Sequence, residues 1–392
     1  MNPAMALAGV RVLDLTQVMA GPYCAMQLCD MGADVIKVEP PEGDSTRRMA
    51  GAVGTDSHSF NAVNRGKRGI VLDLKSPAGR EACVRLARRA DVMIENFRPG
   101  AMRRLGLDYD TLAPDSPSLI YASISGYGQT GPDAAKGGFD LVAQGASGLM
   151  SVTGEPGGRH VKVGVPIADL GAALFATNAI LAALLFRART GRGQFIDTSL
   201  LDAAVALSVW ESAEYFRGAG VPGPMGSAHR MSAPYQMIRC ADGNITLAAA
   251  NDRLFARLCD VLGHPEWRTD VRYRDDTSRV KHRDELAREI ESITMQQTRA
   301  HWIALFEQHG LPCGPINTYA QVFADPQVQA RGLVVETEHP TLGRIRSLGS
   351  PVKMSVTPPL AGRPAPLLGE HTRDVLVELG YDEASIAALG AA

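Results

Sequence analysis

The amino-acid sequence predicts an α/β protein: a large, doubly wound, Rossmann-like domain joined to a smaller α+β domain. Three observations carry this expectation. Between Val10 and Ser125, short runs rich in Val, Ile and Leu alternate with helix-length amphipathic stretches, the pattern of a parallel sheet with crossover helices. A Gly/Pro-rich break, GAGVPGPMGSAHRMSAPYQ, interrupts the chain near residue 220, and its character changes beyond it. The length of 392 residues also exceeds what a single core ordinarily organises.

The opening reads as strand Val10 to Leu15, turn TQVMAGP, helix Tyr23 to Met31 and strand Asp34 to Glu39. A second round follows with strand Gly69 to Leu74, helix Pro77 to Arg89, strand Asp91 to Asn96 and strand Leu119 to Ser125. Val165 to Phe186 is long and apolar enough to cross a bilayer. Asp169 lies inside it and its flanks are strand and turn sequences, so a buried helix in a large core or subunit interface is expected. GRGQFIDTSLLDA is strand-like again, and a helical stretch runs to about Phe216. The predicted large domain covers residues 1–220, with 336–392 returning to it. Residues 221–335 form the smaller domain, built from strand NITLAAA, helix DRLFARLCDVLG, a charged helix around Lys281 to Ile293 and helix Arg299 to His309. No internal repeat or low-complexity tract is present.

Composition narrows the partners. The 40 basic and 42 acidic residues leave a formal charge of −2, so no global field draws nucleic acid or an anionic membrane. An anionic small molecule has to be met by a local basic pocket. The six cysteines form no CxxC pair and read as reduced core thiols. The nine histidines include no HExxH, and no metal is expected. The N-terminal sequence lacks the features of a secretory signal, so a cytoplasmic location is expected. The first turn has no GxGxxG, which argues against a nicotinamide dehydrogenase. No glycine-rich string carries the lysine and hydroxyl of a P-loop, and no GxSxG follows a strand.

Asp169 is the most unusual residue, a carboxylate within an apolar run. The plain structural explanation is an N-cap that bonds the free amides of a first helical turn. A catalytic role is compatible with it, because a helix N-terminus favours an anion and would keep the carboxylate ionised and ready to attack. Basic residues cluster after two strands, Lys75 after GIVLDL and Arg98, Arg103 and Arg104 in ENFRPGAMRRLGL, where an open α/β sheet binds ligands. Surface charges are more often merely solvated. In ENFRPG, the amide of Asn96 and the ring of Phe97 suit a flat base held near phosphates.

Taken together, VRVLDLTQVMAGP, GADVIKVE, NRGKRGIVLDLKSPAG, DVMIENFRPGAMRRLGL, ISGYGQTGP, GGFDLVAQG, TGRGQFID, FEQHGLPCGPINT and PLLGEHT resemble the class III CoA-transferases, the family of formyl-CoA transferase and the carnitine CoA-transferases. The resemblance is collinear over nearly the whole chain. It implies that Asp169, in PIADLGAAL, is the catalytic aspartate, reacting through a mixed anhydride and an enzyme thioester. It implies CoA contacts at Val18, Met19, Ala20, Leu72, Asp73, Leu74, Lys75, Asn96, Phe97, Arg98, Arg104, Gly137, Gly138, Phe139 and Asp140. It also implies an interlocked homodimer, a CoA thioester as substrate and no permanently bound cofactor.

Two departures from the family pattern stand out. Met19 replaces an active-site glutamine, with Gln17 two positions earlier, which speaks against oxalate or formate. Pro40 replaces a basic residue after the second strand, leaving Lys37 as a candidate substitute near the adenine phosphates. GSAHRMSAPYQ and FADPQVQARGLVVETEHPTLG look most like the succinyl-CoA:dicarboxylate transferases, with His229 and Arg230 as candidate readers of a distal carboxylate. The alternative within the family is a 2-methylacyl-CoA racemase, whose histidine near GGFDLVAQG is replaced here by Phe139 and Asp140.

Overall fold

The computed structural model describes residues 5–49 and 51–389, in two compact units. The larger comprises Met1–Leu149, Lys162–Gly218 and Pro326–Ala392; the smaller comprises Met150–Val161 and Ala219–Asp325.

Six strands form the sheet of the larger unit: β1 (Arg11–Asp14), β2 (Asp34–Glu39), β3 (Arg68–Val71), β4 (Val92–Glu95), β5 (Ile120–Ser125) and β6 (Phe195–Ser199). Their order is β3-β2-β1-β4-β5-β6, and every pairing is parallel. The order reverses between β1 and β4, so a crevice opens beyond the carboxyl ends of these two strands. The strands read as near-continuous apolar runs because helices cover both faces. One face packs Val12, Val35, Ile94 and Ile124 against the first helix (Ala20–Asp30) and the long helix (Ile167–Thr190). The other packs Leu13, Ile36, Met93 and Tyr121 against helix Pro77–Arg89 and helix Thr372–Glu378. The C-terminal segment therefore returns to the large sheet.

The apolar segment forms one continuous helix from Ile167 to Thr190. Ala168, Ala172, Ala176, Ile180 and Ala183 recur at helical spacing and are fully buried. Small side chains on this face let the first helix and helix Leu200–Ala206 approach closely. Leu174, Phe175, Leu185 and Phe186 point outward and are exposed.

Below the crevice the sheet carries buried charges that its apolar pattern conceals. Lys67 Nζ donates to Asp14 Oδ2 at 2.8 Å, to the Pro22 carbonyl at 2.9 Å and to Asn64 Oδ1 at 2.8 Å. Lys37 Nζ donates to the Thr16 carbonyl at 2.8 Å and to Asp44 Oδ2 at 3.2 Å. Burial pushes the Asp14 carboxyl up, but Lys67 and Lys37 outweigh it and hold the group below the usual carboxylate range. Lys37 is fully buried, so it is no substitute for a phosphate-binding residue; its ammonium is enclosed under the first turn.

The smaller unit holds an antiparallel sheet of β7 (Tyr235–Cys240), β8 (Gly243–Ala248) and β9 (Cys313–Pro315). Its core joins Ile238, Ile245 and Leu247 to Leu258, Ile290, Trp302 and Phe306 from three helices. A hairpin of β10 (Val334–His339) and β11 (Gly343–Leu348) belongs to the larger unit.

Candidate active site

The crevice is built from the turn after β1. Val18 has φ +69°, alone among the described non-glycine residues in adopting a positive value. For a β-branched side chain this conformation is unfavourable and must be imposed by its surroundings. Asn96, at the end of β4, imposes part of it: its Oδ1 accepts from Gln17 N at 2.9 Å and its Nδ2 donates to the Gln17 carbonyl at 2.8 Å. Asp44 accepts from Val18 N at 3.3 Å and is itself tied to Lys37. Gly21 is required just beyond, because a Cβ there would stand 2.3 Å from the Thr16 side chain. Asn96 thus clamps the turn to the neighbouring strand while still lining the cleft.

A second wall comes from the loop between β5 and the short helix Asp140–Ala146. Gly126 and Gly138 pass backbone to backbone; a Cβ on Gly126 would lie 2.7 Å from the Gly138 Cα. Gly137 lies against Arg98, with a hypothetical Cβ only 2.9 Å from the guanidinium. This packing lets the loop reach across the strand ends.

Asp169 enters from the long helix. The N-cap is Pro166, so Asp169 stands within the first turn and is not the cap. The capping role falls to Asp140, whose Oδ1 accepts from Ala168 N at 2.9 Å and from Asp169 N at 3.4 Å. Asp140 Oδ2 accepts from Gln144 Nε2 at 2.7 Å, and Gln144 Oε1 accepts from Val163 N at 2.9 Å. The expectation that the helix N-terminus keeps Asp169 readily ionised therefore fails. Burial, with the neighbouring Asp140 carboxylate, pushes the Asp169 carboxyl up to about 7.

These walls meet in a cavity of about 240 Å³. It is lined by Gln17, Val18, Met19 and Ala20 from the first turn, Asn96, Phe97 and Arg98 from the end of β4, Gly137, Gly138 and Phe139 from the glycine loop, and Asp169. Leu72 to Lys75 and Arg104 are not among its lining residues. Leu72 is buried, and Asp73 Oδ1 accepts from Lys75 N at 2.9 Å in a local turn. His229 and Arg230 belong to the smaller unit, where His229 N donates to the Tyr235 carbonyl at 2.9 Å and Arg230 Nη2 donates to the Gly223 carbonyl at 2.7 Å. Those bonds tie down the Gly/Pro-rich segment.

Sequence reasoning missed Ser125, Gly126 and Lys136, which also line the cavity. Ser125 ends β5 beside the crevice and Lys136 directly precedes GGFD, so proximity to quoted motifs was the available signal. It also missed Glu95, buried beneath the site and pushed up to about 7 by desolvation, whose Oε2 accepts from Phe97 N at 2.8 Å. Among the described residues no cluster of His, Cys, Asp or Glu could hold a metal ion.

Fold and cleft together define an α/β enzyme that handles a small molecule beyond the carboxyl ends of its strands. Residues 7–372 match the model of CoA-transferase family III. Among similar proteins, succinate–glutarate CoA-transferase of Agrobacterium fabrum is 43% identical over 96% of each chain. Human succinyl-CoA:glutarate CoA-transferase is 42% identical, covering 99% of this chain and 90% of that protein. A crystal structure of a CAIB/BAIF family protein from Brucella suis superposes with a TM-score of 0.84 at 40% identity, over 96% of this chain and 99% of that one. The chain belongs to CoA-transferase family III, and its enzyme class is that of a CoA-transferase.

Proposed function

We propose that the protein moves CoA from succinyl-CoA to a dicarboxylic acid, with Asp169 as the covalent nucleophile. The observation that carries this is Asp169 itself: a half-buried carboxylate, accepting no hydrogen bond from the described residues, in a cavity lined by the strained first turn and by Arg98. The carboxylate attacks the donor thioester carbonyl, expelling CoA thiolate and forming an aspartyl–acyl anhydride. The thiolate then attacks the aspartyl carbonyl, releasing the donor acid as carboxylate and leaving an aspartyl-CoA thioester. An acceptor carboxylate repeats the two steps in reverse.

A carboxylate whose proton affinity is raised by burial is a stronger nucleophile than an exposed one. Arg98 and Lys136 supply positive charge for the phosphates of CoA. The dicarboxylate preference rests on the two glutarate enzymes named above. A racemase would need a second acid–base group opposite Asp169. The segment that precedes the helix cap offers Phe139 there, and Asp140 is occupied by its hydrogen bonds.

The exposed apolar side chains Leu174, Phe175 and Leu185 on the long helix, with Val209, Trp210 and Phe216 beyond it, support a homodimer that covers them. The test of the catalytic reading is to incubate the protein with succinyl-CoA and a panel of mono- and dicarboxylic acids and to follow new acyl-CoA by mass spectrometry. Transfer by the wild type and none by Asp169→Ala is expected; transfer by Asp169→Ala would overturn it.

A further inference from the structure

We infer that Asp140 is a positioning residue that tunes Asp169, by occupying the amides that open the long helix and by standing as a second carboxylate beside the nucleophile. This inference rests on the reading of Asp169 as nucleophile. A carboxylate in the first turn of a helix ordinarily gains from the exposed N–H groups and the positive end of the helix dipole. Here Asp140, from a different helix, accepts from both Ala168 N and Asp169 N. Its other oxygen is held by Gln144, a fully buried side chain that is fixed in turn by Val163 N. This chain of bonds withdraws from Asp169 the donors that would otherwise stabilise its charge.

The remaining charged groups on elements around Asp169 are few. The first helix carries only Asp30, at its far end, and β5 carries none. Helix Leu200–Ala206 carries only Asp202, and β6 carries Asp197. Arg98 and Lys136 line the cavity, with Lys136 paired to Asp133 at 2.8 Å. Asp140 is the one charged neighbour that acts appreciably on Asp169, and with burial it pushes the carboxyl up. The consequence is chemical. Conversion of Asp169 to an anhydride or a thioester removes its charge, and with it the repulsion from Asp140, so formation of the covalent intermediates is favoured over the free anion.

Asp140→Asn keeps an oxygen to cap the helix and removes the charge. The acid limb of covalent-intermediate formation from succinyl-CoA, followed in single turnovers against pH, should move down by about one unit relative to wild type. A purely structural role would change the plateau and leave the limb where it is. An unchanged limb overturns the inference. The second readout needs no turnover: the Asp169 carboxyl carbon is titrated by 13C NMR, assigned with Asp169→Asn, in wild type, Asp140→Asn and Asp140→Ser, the last being a neutral cap that serves if the asparagine variant does not fold. A wild-type midpoint well above the ordinary carboxylate range that falls in either variant supports the role of Asp140. A wild-type midpoint within that range, or one that neither variant moves, overturns it. Transfer that survives in Asp169→Ala would instead sink the nucleophile reading, while the titration still decides what Asp140 does to Asp169.

Discussion

Replacing Lys67 by methionine removes the ammonium group that answers Asp14 beneath the crevice. Both side chains are fully buried, and Lys67 makes bonds of 2.8, 2.9 and 2.8 Å to Asp14, Pro22 and Asn64. Breaking one side of such a pair ordinarily costs about 3–5 kcal/mol, because the remaining charge stays buried without its partner. Asp14 keeps the hydrogen bond from Thr16 N, at 2.9 Å, and the more distant charge of Lys37, which puts the expected loss near the lower bound, about 3 kcal/mol. Replacing Asp14 by asparagine as well removes the charge that Lys67→Met leaves without its partner, so Asp14→Asn/Lys67→Met should recover about 1–2 kcal/mol relative to Lys67→Met alone. The assay is urea unfolding followed by circular dichroism, with midpoints and slopes compared across the four proteins of the cycle. A Lys67→Met variant within about 1 kcal/mol of wild type, or a double variant no more stable than the single, would refute the reasoning. The functional companion is a raised KM for acyl-CoA, since Asp14 holds Thr16 at the start of the strained turn.

Three further outcomes follow from the same geometry. With Asp169 near 7, kcat/KM for succinyl-CoA should fall as pH drops, to about one fiftieth at pH 5 of its value at pH 7; an unshifted aspartate would leave that range almost flat. Asn96→Ala, which removes both bonds to the Gln17 backbone, should destabilise the chain by about 1–3 kcal/mol and raise KM; Asn96→Asp keeps only the acceptor and should not restore it. Asp14 and Asp44 both lie below the usual carboxylate range in the folded protein. The stability they supply is therefore complete above the ordinary aspartate value and lost as pH falls below it, and Lys37→Met should weaken that acid dependence in pH-stepped urea titrations.

Much of the large sheet is legible in the sequence, because strands covered on both faces read as apolar runs between turn signals, and β2 ends where its pattern does. The long apolar helix is legible too, though its alanine face packs inward while Leu174 and Phe175 remain exposed. Local pattern is silent where a contact is made across many residues. Asn96 reaches the Gln17 backbone from 79 positions away, a clamp that ENFRPG alone does not reveal. Lys37 sits in a strand buried along its length, where its charge is answered by Asp44 and the turn above it. Asp169 at a helix start reads as a cap until Asp140, from another helix, is found accepting from Ala168 N, 28 positions further along the chain. His229 and Arg230 attract notice as polar residues in a Gly-rich stretch, and the bonds they make to the Tyr235 and Gly223 carbonyls are what such a stretch needs to hold its course.

The most direct test of the central claim is the intact mass of the protein after incubation with succinyl-CoA alone, followed by peptide mapping. The account predicts a gain equal to one CoA less one water, located on the peptide containing Asp169, absent from Asp169→Asn and discharged by adding an acceptor dicarboxylate. A wild-type protein that transfers CoA yet carries no such adduct at any time in the turnover, or carries it on another residue, contradicts Asp169 as the nucleophile.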